Sequence, residues 1–390
     1  MTLELNKLTE QVAGMGATLA ARSNDLAASL PQARAALQAL AGKDPALQNK
    51  IERALSLHWA GAIPTDEPVN AIFPCPQHPP LATIIAADGS QVYPDRHGIA
   101  LYYLINTGSI VFRHGMDDAP NCASQPRLFY ENEDLYLGEH LIQGALVDSQ
   151  RDLAELRELA RLTTAESEAI PTLALMDNGL LLYLGLHSSE QRRSDEILRD
   201  YLRALREIEV AGAAISGVID RPRAANVLRL LHLAGLENAD FEAEDLRQLG
   251  NYAQLTDRML FSALKPGERS ALFVNASPEN MEKYMPRGHK IMFFYVNTGS
   301  AEQSGILRVE LPEWVAAQPQ QLELVHAGVV EQARFGGGFP YVLIRAHELA
   351  VVTWAQRGEL EQMVSGSMLR SGLSPTISRK AQGKQWTDGG

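Results

Sequence analysis

Two short apolar runs each end in an aspartate: Leu81-Ala-Thr-Ile-Ile-Ala-Ala-Asp88-Gly-Ser90, and later Thr172-Leu-Ala-Leu-Met-Asp177-Asn-Gly179. A carboxylate at the C-terminal end of a buried strand is costly to remove from water, and two of them together are relieved by a cation. The chemistry indicated is metal-assisted. Two hard divalent cations held about 4 Å apart by oxygen ligands can activate water and stabilise a leaving alkoxide. Phosphodiester hydrolysis of that kind needs clustered carboxylates more than a side-chain nucleophile. Taken singly, each triplet has an ordinary alternative, because Asp-Gly-Ser is a common turn and Asp-Asn-Gly suits a hairpin. The elements that carry them decide between the readings.

Residues 1–63 read as a helical segment, Ala-rich around 3–21, 31–41 and 45–59 and punctuated by Gly42 and Pro64. A Pro-rich connector follows, with Phe73-Pro-Cys-Pro76 and His78-Pro-Pro80, and cannot continue a helix. The main domain is therefore expected over 64–366, with 367–390 as a basic tail. Apolar runs at 81–87, 99–106 and 109–113 predict an antiparallel meander, followed by a polar loop of about twenty residues. Residues 147–162 take the helical period, with Leu153, Leu156, Leu159 and Ala160 on one face, and carry Glu155 and Glu158. Next come the strand ending at Asp177, an apolar run at 180–186, a charged helix over 189–210, a strand at 213–218 and a helix at 223–233. Near the end, 339–344 reads as a strand leading into the helix Ile344-Arg-Ala-His347-Glu-Leu-Ala-Val351, which offers His347 at its start and Glu348 as a weaker candidate.

Strand, strand, strand, helix, strand, helix, strand, helix is the order of the ribonuclease H-like core, an α/β fold with a mixed sheet flanked by helices. Its acids come from the first strand, the first helix and the fourth strand. Asp88, Glu155 and Asp177 occupy those three places, and that coincidence outweighs either triplet alone.

With 390 residues, 45% hydrophobic and 21% charged, the chain has ordinary globular composition. No cationic leader precedes an apolar stretch and no run of about 18 apolar residues occurs, so a cytoplasmic protein without a membrane span is expected. Cys75 and Cys122 stand far apart and suggest neither a disulfide framework nor a zinc site. A net charge of −12 argues against a protein that coats nucleic acid nonspecifically, while leaving room for a local basic channel. The tail concentrates Arg370, Arg379, Lys380 and Lys384 against Asp388. Arg379, Lys380 and Lys384 are candidate phosphate contacts, set against the alternative of a solvated, frayed terminus.

Several segments in order resemble the NurA nucleases. They are Asp88-Gly-Ser with Ile105-Asn-Thr-Gly108, Arg151-Asp-Leu-Ala-Glu155, Leu175-Met-Asp177-Asn-Gly-Leu180, Ile215-Ser-Gly-Val-Ile-Asp-Arg-Pro-Arg223, and Gly338-Phe-Pro-Tyr with Ala346-His347-Glu. Leu264-Lys-Pro-Gly-Glu-Arg-Ser270, Phe293-Phe-Tyr-Val-Asn-Thr-Gly299, Arg308-Val-Glu-Leu-Pro-Glu-Trp314 and Ser378-Arg-Lys380 agree as well. The resemblance implies a manganese-dependent DNA nuclease, with magnesium as the alternative ion and two ions per site. It implies 5′-to-3′ exonuclease and single-strand endonuclease activity, and a homodimer that docks on the hexameric translocase HerA in DNA end resection. Single-stranded DNA is the expected substrate form, since a flexible single strand fits a closed site more readily than a duplex. Carried over by position, Asp88 and Asp177 are metal ligands, Glu155 is the helix-borne carboxylate and His347 is the late ligand or proton carrier. Glu158 is the fallback for Glu155. Two departures stand out: Asn178-Gly179 replaces the usual Gly-Ser after the second aspartate, and Phe339 replaces a common tyrosine. Two alternatives stay open. One is a nuclease-like subunit with little or no cleavage that shapes a DNA tunnel and couples to the translocase. The other is an actin-like phosphotransferase, whose glycine-rich phosphate loops are not evident; Gly336-Gly-Gly338 is read as preceding a strand.

Overall fold

The computed structural model describes residues 4–40, 44–166, 169–182, 191–237, 241–300 and 304–374. The chain forms two compact units, one from residues up to Gln77 with Val218–Ala317, the other from His78–Gly217 with the chain from Gln318 onward. This division cuts across the expected segments 1–63 and 64–366. Its cause is burial: Ala33, Leu37, Leu47, Ile51, Ala54 and Trp59 of the N-terminal helices share one apolar cluster with Val227, Leu228, Leu231, Phe273, Phe293 and Tyr295. Of the expected tail, residues 367–370 end a helix, and Arg379, Lys380 and Lys384 lie outside the described residues. Among the described residues no helix is long and apolar enough to cross a membrane.

The second unit is a ribonuclease H-like core. Its strands are β1 (Ala82–Val92), β2 (Tyr103–His114) and β3 (Asn121–Phe129), then β4 (Thr172–Asp177) after helix α1 (Gly144–Thr163), and β5 (Ala214–Ile219) after helix α2 (Gln191–Val210). The sheet order is β3-β2-β1-β4-β5. β1 runs antiparallel to β2, with Asp88 opposite Gly108, and parallel to β4, with Ala87 beside Met176. Ala82, Ile84, Ile85, Ala86 and Ala87 of β1 are fully buried, as a central strand covered on both faces requires. The chain then returns as α3 (Pro319–Phe335), α4 (Tyr341–Ala350) and α5 (Trp354–Arg370).

Three sequence expectations are corrected. From Tyr103 on, the apolar runs at 99–106 and 109–113 fall in the single strand β2, and the third strand is β3, inside the stretch expected to be a polar loop. β3 is mostly exposed and polar, so it lacks the apolar signature by which strands are recognised. Residues 341–344 are helical: Val342, Leu343, Ala346 and Ala350 are buried at helical spacing, and a short apolar run does not distinguish the two states. His347 therefore sits in the last turn of α4, and Gly336-Gly-Gly338 joins two helices. In the first unit, one helix, Thr9–Ala39, runs through Pro31 where separate helices were expected.

Candidate active site

Side chains alternate along a strand, and β1 uses that alternation to address two helices. Asp88 and Ser90 face α4, and Gly89 faces α1. Ser90 Oγ donates to the Ala350 carbonyl at 2.5 Å, and Asn106 Nδ2, on β2, donates to the same carbonyl at 2.7 Å and to that of Leu349 at 3.2 Å. These bonds satisfy carbonyls that the end of α4 leaves without an intrahelical donor. Gly108, opposite Asp88, lets the helix come this close: a Cβ there would lie 2.4 Å from the Ala346 oxygen and 2.4 Å from the Ala350 nitrogen. With α4 seated on Gly108, His347 Nδ1 meets Asp88 Oδ2 at 2.7 Å. Against a carboxylate acceptor, Nδ1 carries the proton, which leaves Nε2 as the ring's second working atom. The His347 side chain is 64% exposed, so that atom can exchange with solvent or substrate.

On the opposite face, α1 packs against Gly89. A Cβ there would lie 2.7 Å from Glu155 Oε1 and 2.6 Å from Arg151 Cγ. The missing side chain thus makes the notch that the Glu155 carboxylate occupies. Glu155 is 3% exposed. Burial pushes its pKa well above the carboxylate range, the negative charges of Asp152, Asp88 and Asp177 push it further, and Arg151 opposes them. Asp152, which the sequence reading did not single out, is also raised, by burial first, although Arg151 grips it. Asp177 ends β4 and accepts the Asn178 N–H at 2.9 Å. Asn178 has φ 81°, a left-handed conformation that asparagine tolerates and glycine favours. The Asn-for-Gly departure therefore keeps the backbone geometry of the turn.

The structure brings Asp88, Glu155, Asp177 and His347 into one region and assigns Glu158 different surroundings. Glu158 is 6% exposed. It accepts Ser109 Oγ at 2.9 Å, Gln125 Nε2 at 3.0 Å and both Arg161 Nε and Nη2 at 2.8 Å. Its charge is committed to strand β2, strand β3 and its own helix. Glu348 pairs with Arg345 one turn back on the exposed side of α4.

Three carboxylates from three elements, with an imidazole on one of them, have the oxygen-rich donor chemistry of a hard divalent cation. Positive charge offsets the repulsion that raises Glu155, so the residues fit such an ion electrostatically. They do not form a closed ligand shell: among the described residues no three or more His, Cys, Asp or Glu side chains are grouped as a metal site. Cys75 and Cys122 supply none of these groups.

Residues 82–352 match the family model described as the NurA domain. No curated protein sequence matches the chain significantly. Among solved structures, the chain is similar to the NurA nuclease from Sulfolobus solfataricus at 14% identity and a TM-score of 0.47, covering 83% of this chain and 92% of that one. It is similar to a NurA crystallised with manganese at 13% identity and a TM-score of 0.39, covering 92% and 98%. The catalytic domain of human endonuclease V follows at 15% identity and a TM-score of 0.33, covering 83% and 99%.

Proposed function

This chain belongs to the NurA family, and from that premise we propose that it is a divalent-metal-dependent DNA nuclease that hydrolyses phosphodiester bonds at Asp88, Glu155, Asp177 and His347. One observation carries the reading: Glu155 is buried in the field of Asp88 and Asp177, contributed by two different strands. A buried acid among like charges is the arrangement expected where a site is built for a cation. Asp88, Glu155 and Asp177 would hold manganese, with magnesium as the alternative and two ions as the usual complement. Bound there, such ions supply charge neutralisation at the scissile phosphate and make water a better nucleophile.

The protein's own groups do the positioning. The Gly89 notch fixes where the Glu155 carboxylate stands, and the clasp of Ser90 and Asn106 on α4 fixes where His347 stands. With Nδ1 on Asp88, His347 Nε2 is the atom placed to carry a proton between substrate and solvent. We extend the proposal to 5′-to-3′ exonuclease and single-strand endonuclease activity on single-stranded DNA, in a homodimer coupled to a HerA-type hexameric translocase during DNA end processing. Arg379, Lys380 and Lys384 belong to the proposal as phosphate contacts. The second reading, a nuclease-like subunit that shapes a DNA path and cuts little, draws on the net charge of −12, which works against holding DNA nonspecifically.

The test is cleavage of 5′-labelled single-stranded DNA in manganese, magnesium and EDTA. Wild type is expected to cut only with metal, and Asp88→Ala to lose at least about 1,000-fold in rate, the scale of an essential electrostatic group. An active Asp88→Ala protein would sink the site assignment, and inactivity of wild type under all conditions would favour the second reading.

A further inference from the structure

A cation beside the carboxylate cluster is itself held in place. Arg151 lies one turn before Glu155 on α1, with its Nε 3.3 Å from Glu155 Oε1. The same guanidinium donates from Nε and Nη2 to Asp152 Oδ1 at 3.1 and 2.7 Å, and from Nη1 to Gln91 Oε1 at 3.0 Å. Gln91 is fixed in turn, because its Nε2 donates to Asp148 Oδ1 at 3.0 Å, the oxygen that also accepts Tyr93 Oη at 2.6 Å. The chain thus continues past Asp88-Gly-Ser as Gln91-Val-Tyr93, the last of these just beyond β1, and Gln91 and Tyr93 clasp the first turns of the helix that delivers Glu155. The Arg151 stem passes over Gly89, where no Cβ obstructs it.

We propose that Arg151, held by Gln91 and Asp152, is a positioning residue that fixes the Glu155 carboxylate in the Gly89 notch and balances its charge. The inference rests on the nuclease reading of the same site. A guanidinium has five N–H donors, and those directed at Asp152 and Gln91 bind protein groups in a planar fork. Arg151 is therefore built to orient a neighbour and not to grip a phosphate. Lysine carries the charge without the fork, so it can restore the pairing in part and the alignment not at all.

The experiment has two arms. In the first, kcat and KM for single-stranded DNA cleavage in manganese are measured for wild type, Arg151→Lys and Arg151→Met. Arg151→Met is expected to lose about 10–100-fold in kcat, the usual effect of removing a group that orients a ligand, with KM and the salt dependence of DNA binding unchanged. Arg151→Lys is expected to fall between. A raised KM with a shallower salt slope would make Arg151 a phosphate contact and overturn the proposal. In the second arm, melting temperatures in EDTA are compared for wild type, Arg151→Met, Glu155→Gln and the double variant. Arg151→Met should lower the melting temperature by at least about 2 °C more in the wild-type background than beside Gln at 155, because only there does it strand a buried carboxylate. Equal losses in both backgrounds would overturn the proposal. A wild type that does not cleave would refute the nuclease reading, while the thermal comparison would still decide whether Arg151 serves Glu155.

Discussion

Two buried carboxylates, one in each unit, show what distinguishes an acid that holds the fold from an acid proposed to serve a site. Asp257 is fully buried. It accepts the Val227 and Leu228 N–H groups at 3.0 Å each, at the first turn of the helix Asn226–Gly235, and Tyr295 Oη at 2.8 Å. Arg308 bonds the same Tyr295 hydroxyl at 3.2 Å and pairs with Glu310 at 2.8 Å. Burial raises the Asp257 pKa, but the two backbone donors, Tyr295 and Arg308 all pull it back. Glu155 is buried to almost the same degree and sits among Asp152, Asp88 and Asp177, with Arg151 opposing them. The first acid has its lone pairs filled by the protein. The second has been brought close to like charges at a cost in stability, and such an arrangement persists where function requires it.

The contrast can be broken or sharpened by substitution. The largest effect on stability is expected at Asp257. Asp257→Ala strands two helix N–H groups and the Tyr295 hydroxyl donor, and should cost about 3–5 kcal/mol in urea unfolding. A loss below about 1 kcal/mol would show that Asp257 is not the satisfied member of the pair. Glu155→Gln should act in the opposite direction in metal-free buffer. A carboxyl whose folded pKa is raised contributes stability that is intact below its unfolded value of about 4.3 and is lost as pH rises through the folded value. The variant should therefore melt above wild type at pH 7–8, by about 2–4 °C for each kcal/mol of repulsion relieved, and the gap should close toward pH 4. A gap independent of pH would contradict the charge argument. The smallest effect is expected at Asn178, whose φ of 81° glycine adopts freely. Asn178→Gly should change stability by less than about 1 kcal/mol and preserve cleavage, whereas Asn178→Val should lose stability, as unfolding and activity assays would show.

What was legible in the sequence follows the same division. That Asp88, Glu155 and Asp177 come near one another could be expected because the order of strands and helices places them, and order survives errors in the strands themselves. Reading β2 as two strands and β3 as a loop left the number of long strands before α1 at three. The choice between Glu155 and Glu158 was not legible. Both are buried on one helix, and only their tertiary surroundings separate them, Gly89 for one and Ser109 with Gln125 for the other. Arg151 and Gln91 were present in or beside quoted motifs, but their partnership depends on α1 lying over β1. The Asp257 network was invisible for a related reason: Asp257 and Tyr295 are 38 positions apart and meet only once the first unit has folded.

The most direct test of the central claim is the melting temperature of wild type, Glu155→Gln and Asp88→Ala as manganese is raised from zero to millimolar concentration. If the carboxylates form a cation site, wild type should gain stability as RT ln(1 + [L]/Kd), about 2.7 kcal/mol at 100 times Kd, and both variants should gain far less. A wild type whose melting temperature ignores manganese, or variants that respond as fully as wild type, would contradict it.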